Sequence, residues 1–159
     1  MSGEGQRLAE FSLAVRESSL KRLRSVPAGC ENWRPSAGAL SLSEIARHLL
    51  AADEWLFEKL KDRALRGMVA VVGEGGEIAR AELQNAVAAL EASGQRRAAV
   101  CASLESSDLA GLVPDDRFGG DVTVWWLIVR GNLDHEAHHR GQIAAYLRWL
   151  HDQGACHGG

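Results

Sequence analysis

The chain has 159 residues, of which 46% are hydrophobic and 25% are charged, and its formal net charge is −3. This length and balance indicate one globular domain with a substantial core, and they exclude a disordered chain. The lack of excess positive charge argues against a nucleic-acid partner, and no apolar run approaches the roughly 20 residues that cross a bilayer, so no membrane partner is expected either.

The first two predicted helices lie between proline-containing segments. Helical spacing of apolar residues predicts the first from about Gln6 to Val26, where Pro27 ends it. The second begins at Ser41, because the sequence Ser-Leu-Ser-Glu matches the capping-box pattern. Its apolar face recurs at three- and four-residue steps, and His48 lies within about 60° of that face. His48 is therefore predicted to point toward the core.

The third and fourth helices follow glycine-rich segments. Apolar positions predict a third helix over about 79–104, with Gly94 as an interruption of modest cost. Residues 106–120 are predicted to form a loop with a Pro-Asp-Asp turn. Asp121 or Thr123 is then the expected cap of a fourth helix that runs to about residue 151.

The arrangement of these helices predicts the fold class. Residues 69–72 form a β-leaning run that is too short to build a sheet, and no other segment alternates with a period of two. Four helices of about 20 residues predict an all-α four-helix bundle over residues 1–153, with room for one long crossover connection. Residues 154–159 are predicted to be a disordered tail.

Three histidines carry the strongest chemical signal. His135 and His139 are four residues apart on the fourth helix and share one face. That face also carries Val124, Ile128, Gly131, Gln142 and Tyr146. Two neutral imidazoles side by side in a core need partners for their nitrogens, and a metal ion supplies one. With His48 as the third ligand, an open coordination position would make the site reactive rather than structural.

Five further residues are candidates to orient the histidines or to line the pocket: Glu44, Asn132, His138, Gln142 and Tyr146. Glu44 and Asn132 each lie one turn before a histidine of the set, although Glu44 also caps its helix. His138 is rotated by about 100° from His139, which favours a flanking position over a ligand. The last two share the face of the ligands, where a pair of core residues that satisfy each other is an equal alternative. No catalytic residue can be assigned from the pattern.

Two segments resemble the DinB-like superfamily, which is also known for YfiT-type metal-dependent hydrolases. Residues 32–35 and 42–48 resemble the connection into its second helix and its first histidine, and residues 135–148 resemble its C-terminal signature. The order and lengths of the predicted helices agree with the family across nearly the whole chain. The resemblance implies a four-helix bundle, often a homodimer, that binds zinc, nickel or a similar ion through His48, His135 and His139. Residues 67–76 match nothing in the family, so the role of that loop stays open.

The resemblance also implies an activity. Some relatives look like transferases that use a low-molecular-weight thiol such as bacillithiol, mycothiol or glutathione. A divalent ion would lower the pKa of such a thiol, so that a nucleophile exists at neutral pH. The leading prediction is therefore a metal-dependent thiol transferase acting on a small electrophile, with Arg34, Arg47 or Arg140 as candidates to hold an anionic part of the thiol.

The same residues are consistent with three other interpretations. The same ion could activate water for hydrolysis, with Glu44 or another carboxylate as the base. The protein could instead be a non-catalytic, stress-induced dimer that holds metal for stability or regulation. Third, it could be a metal-free interaction module in which the histidines are ordinary core residues.

The cysteines bear on localisation. Cys30, Cys101 and Cys156 are an odd number at wide spacings, which is typical neither of a disulfide framework nor of a Cys-x-x-Cys zinc site. A reducing cytoplasm is the location that this pattern predicts.

Overall fold

The computed structural model describes residues 3–61 and 76–154. In this part of the chain the elements are, in order, α1 (Glu4–Arg24), α2 (Leu42–Lys61), α3 (Arg80–Ala102), α4 (Ser106–Ala110), β1 (Leu112–Asp115), β2 (Gly120–Thr123), α5 (Val124–Ile128) and α6 (Asp134–Asp152). A π-helical turn, Val129–Leu133, joins α5 to α6, so the fourth long helix runs without a break over 124–152. The predicted all-α four-helix bundle is confirmed.

Side-chain caps fix where two of the helices begin. At the start of α2, Ser41 Oγ accepts from the Glu44 N–H at 3.2 Å, and Glu44 Oε2 accepts from the Ser41 N–H at 2.7 Å. This is the reciprocal capping box that the sequence predicts. At the start of α5, Thr123 Oγ1 accepts from the Trp126 N–H at 3.1 Å. Thr123 is therefore the cap of the fourth long helix, whereas Asp121 lies in β2.

The core consists of two apolar clusters with a polar layer between them. One cluster includes Leu23, Ile45, Leu90 and Ile143. The other includes Leu8, Leu56, Leu127 and Leu133. Between them, at the middle of the bundle, lie four fully buried charged residues: Arg16, Asp53, Arg97 and Glu136. One charged residue from each of the four long helices meets in this layer.

A glycine on α3 permits the close approach of α1. A Cβ at Gly94 would lie 2.6 Å from Arg16 Cγ, a distance that real Cβ atoms essentially never show. From the sequence alone, Gly94 is expected only to lower the stability of the helix slightly. In the structure, the absence of a side chain at Gly94 leaves room for the aliphatic part of the buried Arg16 side chain.

The structure differs from the loop predicted over 106–120, because this segment forms the short helix α4 and then a β-hairpin. β1 and β2 pair antiparallel, with Leu112 opposite Thr123 and Asp115 opposite Gly120. Each strand has four residues, and Gly119 takes a positive φ of 81° at the turn. Strands this short give no period-two signal, and Pro114 further disguises the first one. The packing of Val113 in the core stabilises the hairpin, which is a tertiary effect.

Three further predictions concern the segments outside the described residues, the cysteines and membrane spans. The β-leaning run 69–72, nearly all of the unmatched segment 67–76 and tail residues 155–159 lie outside the described residues. Cys30 is disulfide-bonded and Cys101 is free and buried, so a disulfide is present although the number and spacing of the cysteines are not typical of a disulfide framework. The cytoplasmic location stays a prediction. Among the described helices, none combines the length and apolar character that a bilayer span requires.

Candidate metal centre

Two helices bring the three predicted histidines to one point. His48 comes from α2, and His135 and His139 come from successive turns of α6. His135 Nε2 lies 2.9 Å from His48 Nε2 and 3.1 Å from His139 Nε2. One ring nitrogen from each residue falls within 4.8 Å of the other two. His139 is buried while the other two are partly exposed, so the cluster can be reached from solvent.

The hydrogen bonds among these rings cannot all be satisfied by protons. Gln142 Oε1 lies 2.7 Å from His139 Nδ1, so that nitrogen donates and Nε2 of the neutral ring carries a lone pair. A ring nitrogen has either one proton or one lone pair. His135 Nε2 therefore makes a full hydrogen bond with only one of its two neighbours. A cation shared by the three nitrogens would satisfy every lone pair at once.

The electrostatics keep the rings neutral. Burial, together with the neighbouring histidines, lowers the pKa of His135 to about 4. Burial likewise lowers the pKa of His139 to about 4, against the effect of its hydrogen bond to Gln142. Burial also lowers the pKa of His48. At neutral pH all three are uncharged imidazoles, the form that binds metal ions.

One buried atom of the cluster has no partner. His135 Nδ1 is buried and makes no hydrogen bond within the described chain, whereas His139 Nδ1 has Gln142 as its partner.

The donor set of three neutral imidazoles with an accessible side fits a divalent ion of the zinc or nickel type. His48, His135 and His139 are the residues that would hold it.

The other predicted site residues lie at different distances from this cluster. Glu44 is engaged by Ser41 and by Arg34, whose Nη2 donates to it at 3.0 Å. Burial alone would raise the pKa of Glu44, but these hydrogen bonds hold it below its usual range. Asn132 contacts Arg97, Asp53 and the Ala52 carbonyl, and it makes no hydrogen bond to the histidines.

His138 and Tyr146 lie at the edges of the site. The exposed His138 ring meets the His139 ring edge-on, with centroids 5.1 Å apart. Tyr146 packs edge-on against Trp33 at 5.3 Å, and Trp33 stacks on Trp149 at 4.9 Å. Tyr146 therefore belongs to an aromatic cluster beyond Gln142 and does not pair with that glutamine.

Sequence reasoning missed the buried ion network next to the histidines. Arg97 Nη1 donates to Asp53 at 2.9 Å and to Glu136 at 2.7 Å, and Arg16 donates to the same two carboxylates at 2.8–2.9 Å. Burial by itself opposes the charge of Glu136, but the two arginines hold its pKa at about 2. The sequence does hold one indication of this network. Asp53 lies four residues after Leu49 and three before Leu56, so an acidic residue occupies a position on the apolar face of the helix.

The fold and the site define a class of protein, a four-helix bundle with an open three-histidine cluster between two of its helices. A family model for the DinB superfamily matches residues 13–143. The chain belongs to this superfamily. A DinB-like protein of Bacillus subtilis, YjoA, has a similar crystal structure, with a TM-score of 0.68, 18% sequence identity and 91% of each chain covered. This likeness shows a shared fold. Comparison with curated proteins finds none that matches.

Proposed function

We propose that this protein is a metal-dependent enzyme that transfers a low-molecular-weight thiol of the bacillithiol, mycothiol or glutathione type to a small electrophile. The observation that carries the proposal is the convergence of three neutral histidine nitrogens within 4.8 Å on a partly exposed face. Three ligands leave a coordination position open for a reactant.

The chemistry would be nucleophilic substitution by sulfur. A divalent ion in the cluster would lower the pKa of a thiol, so that the thiolate exists at neutral pH. The thiol proton passes to solvent, a sulfur–carbon bond forms, and the leaving group departs with its electron pair. Gln142 fixes the His139 ring through Nδ1, and the buried side of the cluster keeps water from that half of the site.

Hydrolysis by the same centre is less well supported. A water nucleophile benefits from a carboxylate that accepts its proton. Glu44, the candidate base, is held by Arg34 and Ser41, and those bonds keep its pKa low. Among the described residues no carboxylate joins the histidine cluster. A thiol that loses its proton to solvent has no need of such a base.

The metal site is tested by elemental analysis of untagged protein purified without added metal. We expect about one divalent ion per chain, lost in His48→Ala and His139→Ala because each removes one of three ligands. His138→Ala is the matched control, since it removes an exposed histidine next to the cluster. Absence of metal in the parent, together with no uptake of zinc or nickel on titration, would contradict the proposal.

The reaction is tested by turnover of small alkyl halides and epoxides with and without each thiol. We expect turnover that depends on a thiol, requires the metal and disappears in His139→Ala. Turnover at the same rate without thiol would identify a hydrolase. Full metal loading with neither activity, and a change in oligomeric state on metal removal, would instead favour the non-catalytic metal-binding dimer.

The proposed homodimer has its own support. Trp125 and Trp126 are 39% and 41% exposed at the start of the fourth long helix, and Phe118 packs edge-on against Trp126 at 6.2 Å. Exposed aromatic side chains of this kind are enriched at protein interfaces. Light scattering on Trp126→Glu and the parent would test it, with a dimer expected only for the parent.

A further inference from the structure

Arg117 lies in a position that its sequence context does not reveal. It belongs to the 3-10 turn, Asp116–Phe118, that connects β1 to β2. Its Cζ lies 3.7 Å from the centroid of the Trp55 ring. A Cβ at Gly131 would lie 3.0 Å from its Nη2 and 3.6 Å from Trp55 Cη2. The guanidinium therefore lies where Trp55 of α2 meets the π-helical turn that precedes α6.

The two neighbours of Arg117 lie one and two helical turns from residues of the histidine cluster. Gly131 is four residues before His135, which is about 6 Å along a helix axis. Trp55 is seven residues after His48, two turns along the same face of α2. Burial and the other histidines lower the pKa of His135 most, and the charge of Arg117 contributes further, so the two groups are within electrostatic reach.

The hairpin holds this arginine in a fixed orientation. Asp115 accepts from Arg117 Nε at 3.0 Å and from Nη2 at 2.7 Å, and it also accepts from the Arg117 backbone N–H at 3.1 Å. The Asp115 side chain is fully buried, while that of Arg117 is 29% exposed. An arginine anchored in this way loses little conformational entropy when it binds a ligand.

The contacts with Asp115 leave part of the guanidinium free. Of its five N–H donors, one on Nε and one on Nη2 are used, and Nη1 donates to no described residue. Of the arginines singled out in the sequence, Arg34 is paired with Glu44, and Arg47 donates to the Gly76 carbonyl at 2.8 Å.

We propose that Arg117 is the anion-binding residue of this centre and holds the carboxylate of a small acidic ligand whose other end reaches the histidine cluster. The inference rests on the proposed function and narrows it, because it makes the thiol or the electrophile a carboxylate. Asp115 offsets the charge of Arg117, so recognition comes from the directed donors on Nη1 and Nη2 rather than from a broad positive field.

The test compares an acidic thiol with its neutral analogue. Full-length protein loaded with Co²⁺ is titrated with 3-mercaptopropionate and with 3-mercaptopropionamide, and binding is followed by the sulfur-to-cobalt absorption band. We expect the preference for the acid over the amide to fall about tenfold in Arg117→Gln, the loss of one charge-assisted hydrogen bond. Intrinsic differences between the two thiols cancel when variants are compared.

Arg130→Gln is the matched control. Arg130 is exposed, precedes Gly131 and pairs with Asp134, so the variant removes the same charge from the same region without the contact to Trp55. It should keep the parent's preference. An unchanged preference in Arg117→Gln, or an equal loss in Arg130→Gln, would overturn the inference. Loss of the partner of the buried Asp115 should lower the melting temperature of Arg117→Gln, so all three proteins are compared well below their melting temperatures. Equal cobalt content under these conditions excludes a folding defect.

A second measurement separates this inference from the proposed function. Metal-free, ¹⁵N-labelled protein is titrated with propionate, and the Gly131 amide and Arg117 Nε–H signals are followed. If no thiol binds to the cobalt protein, the proposed function fails, and this titration decides alone. Saturable shifts that disappear at Gly131 in Arg117→Gln would then support the carboxylate site, and their absence in the parent would overturn it.

Discussion

At the scale of single residues, identical amino acids have opposite roles in two helices of this protein. Gly94 is buried on α3 against Arg16, whereas Gly141 is exposed on α6, where an added Cβ would meet no atom within 4 Å. Helix propensity treats both as equally unfavourable. Their surroundings therefore decide what a substitution does.

Alanine at these two glycines should change stability in opposite directions. Gly141→Ala is expected to raise the free energy of unfolding by about 0.5–1 kcal/mol, because alanine loses less backbone entropy on folding. Gly94→Ala should lower it, because the new Cβ would fall 2.6 Å from Arg16 Cγ and 3.3 Å from Arg16 Cβ, atoms near the backbone end of a side chain fixed in the ion network. Urea denaturation measures both, and stabilisation by Gly94→Ala would contradict the packing described.

The Cys101 thiol should be unreactive in the folded protein. Burial raises its pKa to about 11, against the effect of the nearby Arg97 charge. At pH 8 only about one thiol in a thousand is then ionised, and the thiolate is the reactive form. Mass spectrometry of the Cys101 peptide after iodoacetamide treatment should show little labelling, while the same treatment in denaturant labels it fully. Rapid labelling without denaturant would show that the site opens locally.

At the scale of elements, the fourth long helix carries two of the three histidines and depends on its first turn. Thr123 caps the helix, the π-helical turn follows at 129–133, and His135 comes directly after it. A π-helical turn shifts the face that the following residues present, and such turns are frequent at functional sites. The direction in which His135 and His139 point therefore depends on the π-helical turn at 129–133 that precedes them.

Removal of this cap should destabilise the protein without changing the ligands. Thr123→Ala loses the acceptor for the Trp126 N–H, which lies 3.1 Å from Oγ1, and a lost cap of this type costs about 1 kcal/mol. Thr123→Ser retains the hydroxyl and should remain near the parent. Thermal unfolding of the three proteins is the measurement, and equal stability of the alanine and serine variants would show that the cap contributes nothing.

At the scale of the whole molecule, the buried ion network ties the four long helices together. Arg16, Asp53, Arg97 and Glu136 come from α1, α2, α3 and α6, and every one of these side chains is at most 3% exposed. The two arginines and two carboxylates balance in charge. Removal of one partner leaves a buried charge without compensation, which is more costly than the pair is stabilising.

Loss of Arg97 should therefore be severe. Arg97→Met is expected to lower the free energy of unfolding by about 3–5 kcal/mol, because Asp53 and Glu136 lose a shared donor in the interior. Arg24→Met is the control, since Arg24 and Glu91 form an ion pair whose side chains are 50% and 56% exposed. That variant should change the same quantity by less than about 1 kcal/mol. Equal effects in urea denaturation would contradict a special role for the buried layer.

Much of the fold and the histidine set could be read from local patterns. The capping box at Ser41, the cap at Thr123 and the four-residue spacing of His135 and His139 involve groups within one or two helical turns. Their geometry follows from the helix period alone. The hairpin could not be read in this way, because each four-residue strand is too short for a pattern and is stabilised by core contacts such as those of Val113.

The sequence by itself determined the helices, their inward faces and the shared face of His135 and His139, because these depend on residues close together in the chain. That His48, 87 positions before His135, lies within hydrogen-bond distance of it was decided by how α2 and α6 pack. Only the tertiary structure decided that Glu136 pairs with arginines 120 and 39 positions away and that Gly94 makes room for Arg16. It alone also placed Arg117 against Trp55 and Gly131. Contacts between distant segments depend on how whole helices pack, and a periodic pattern shows which face is buried but not which residue it meets.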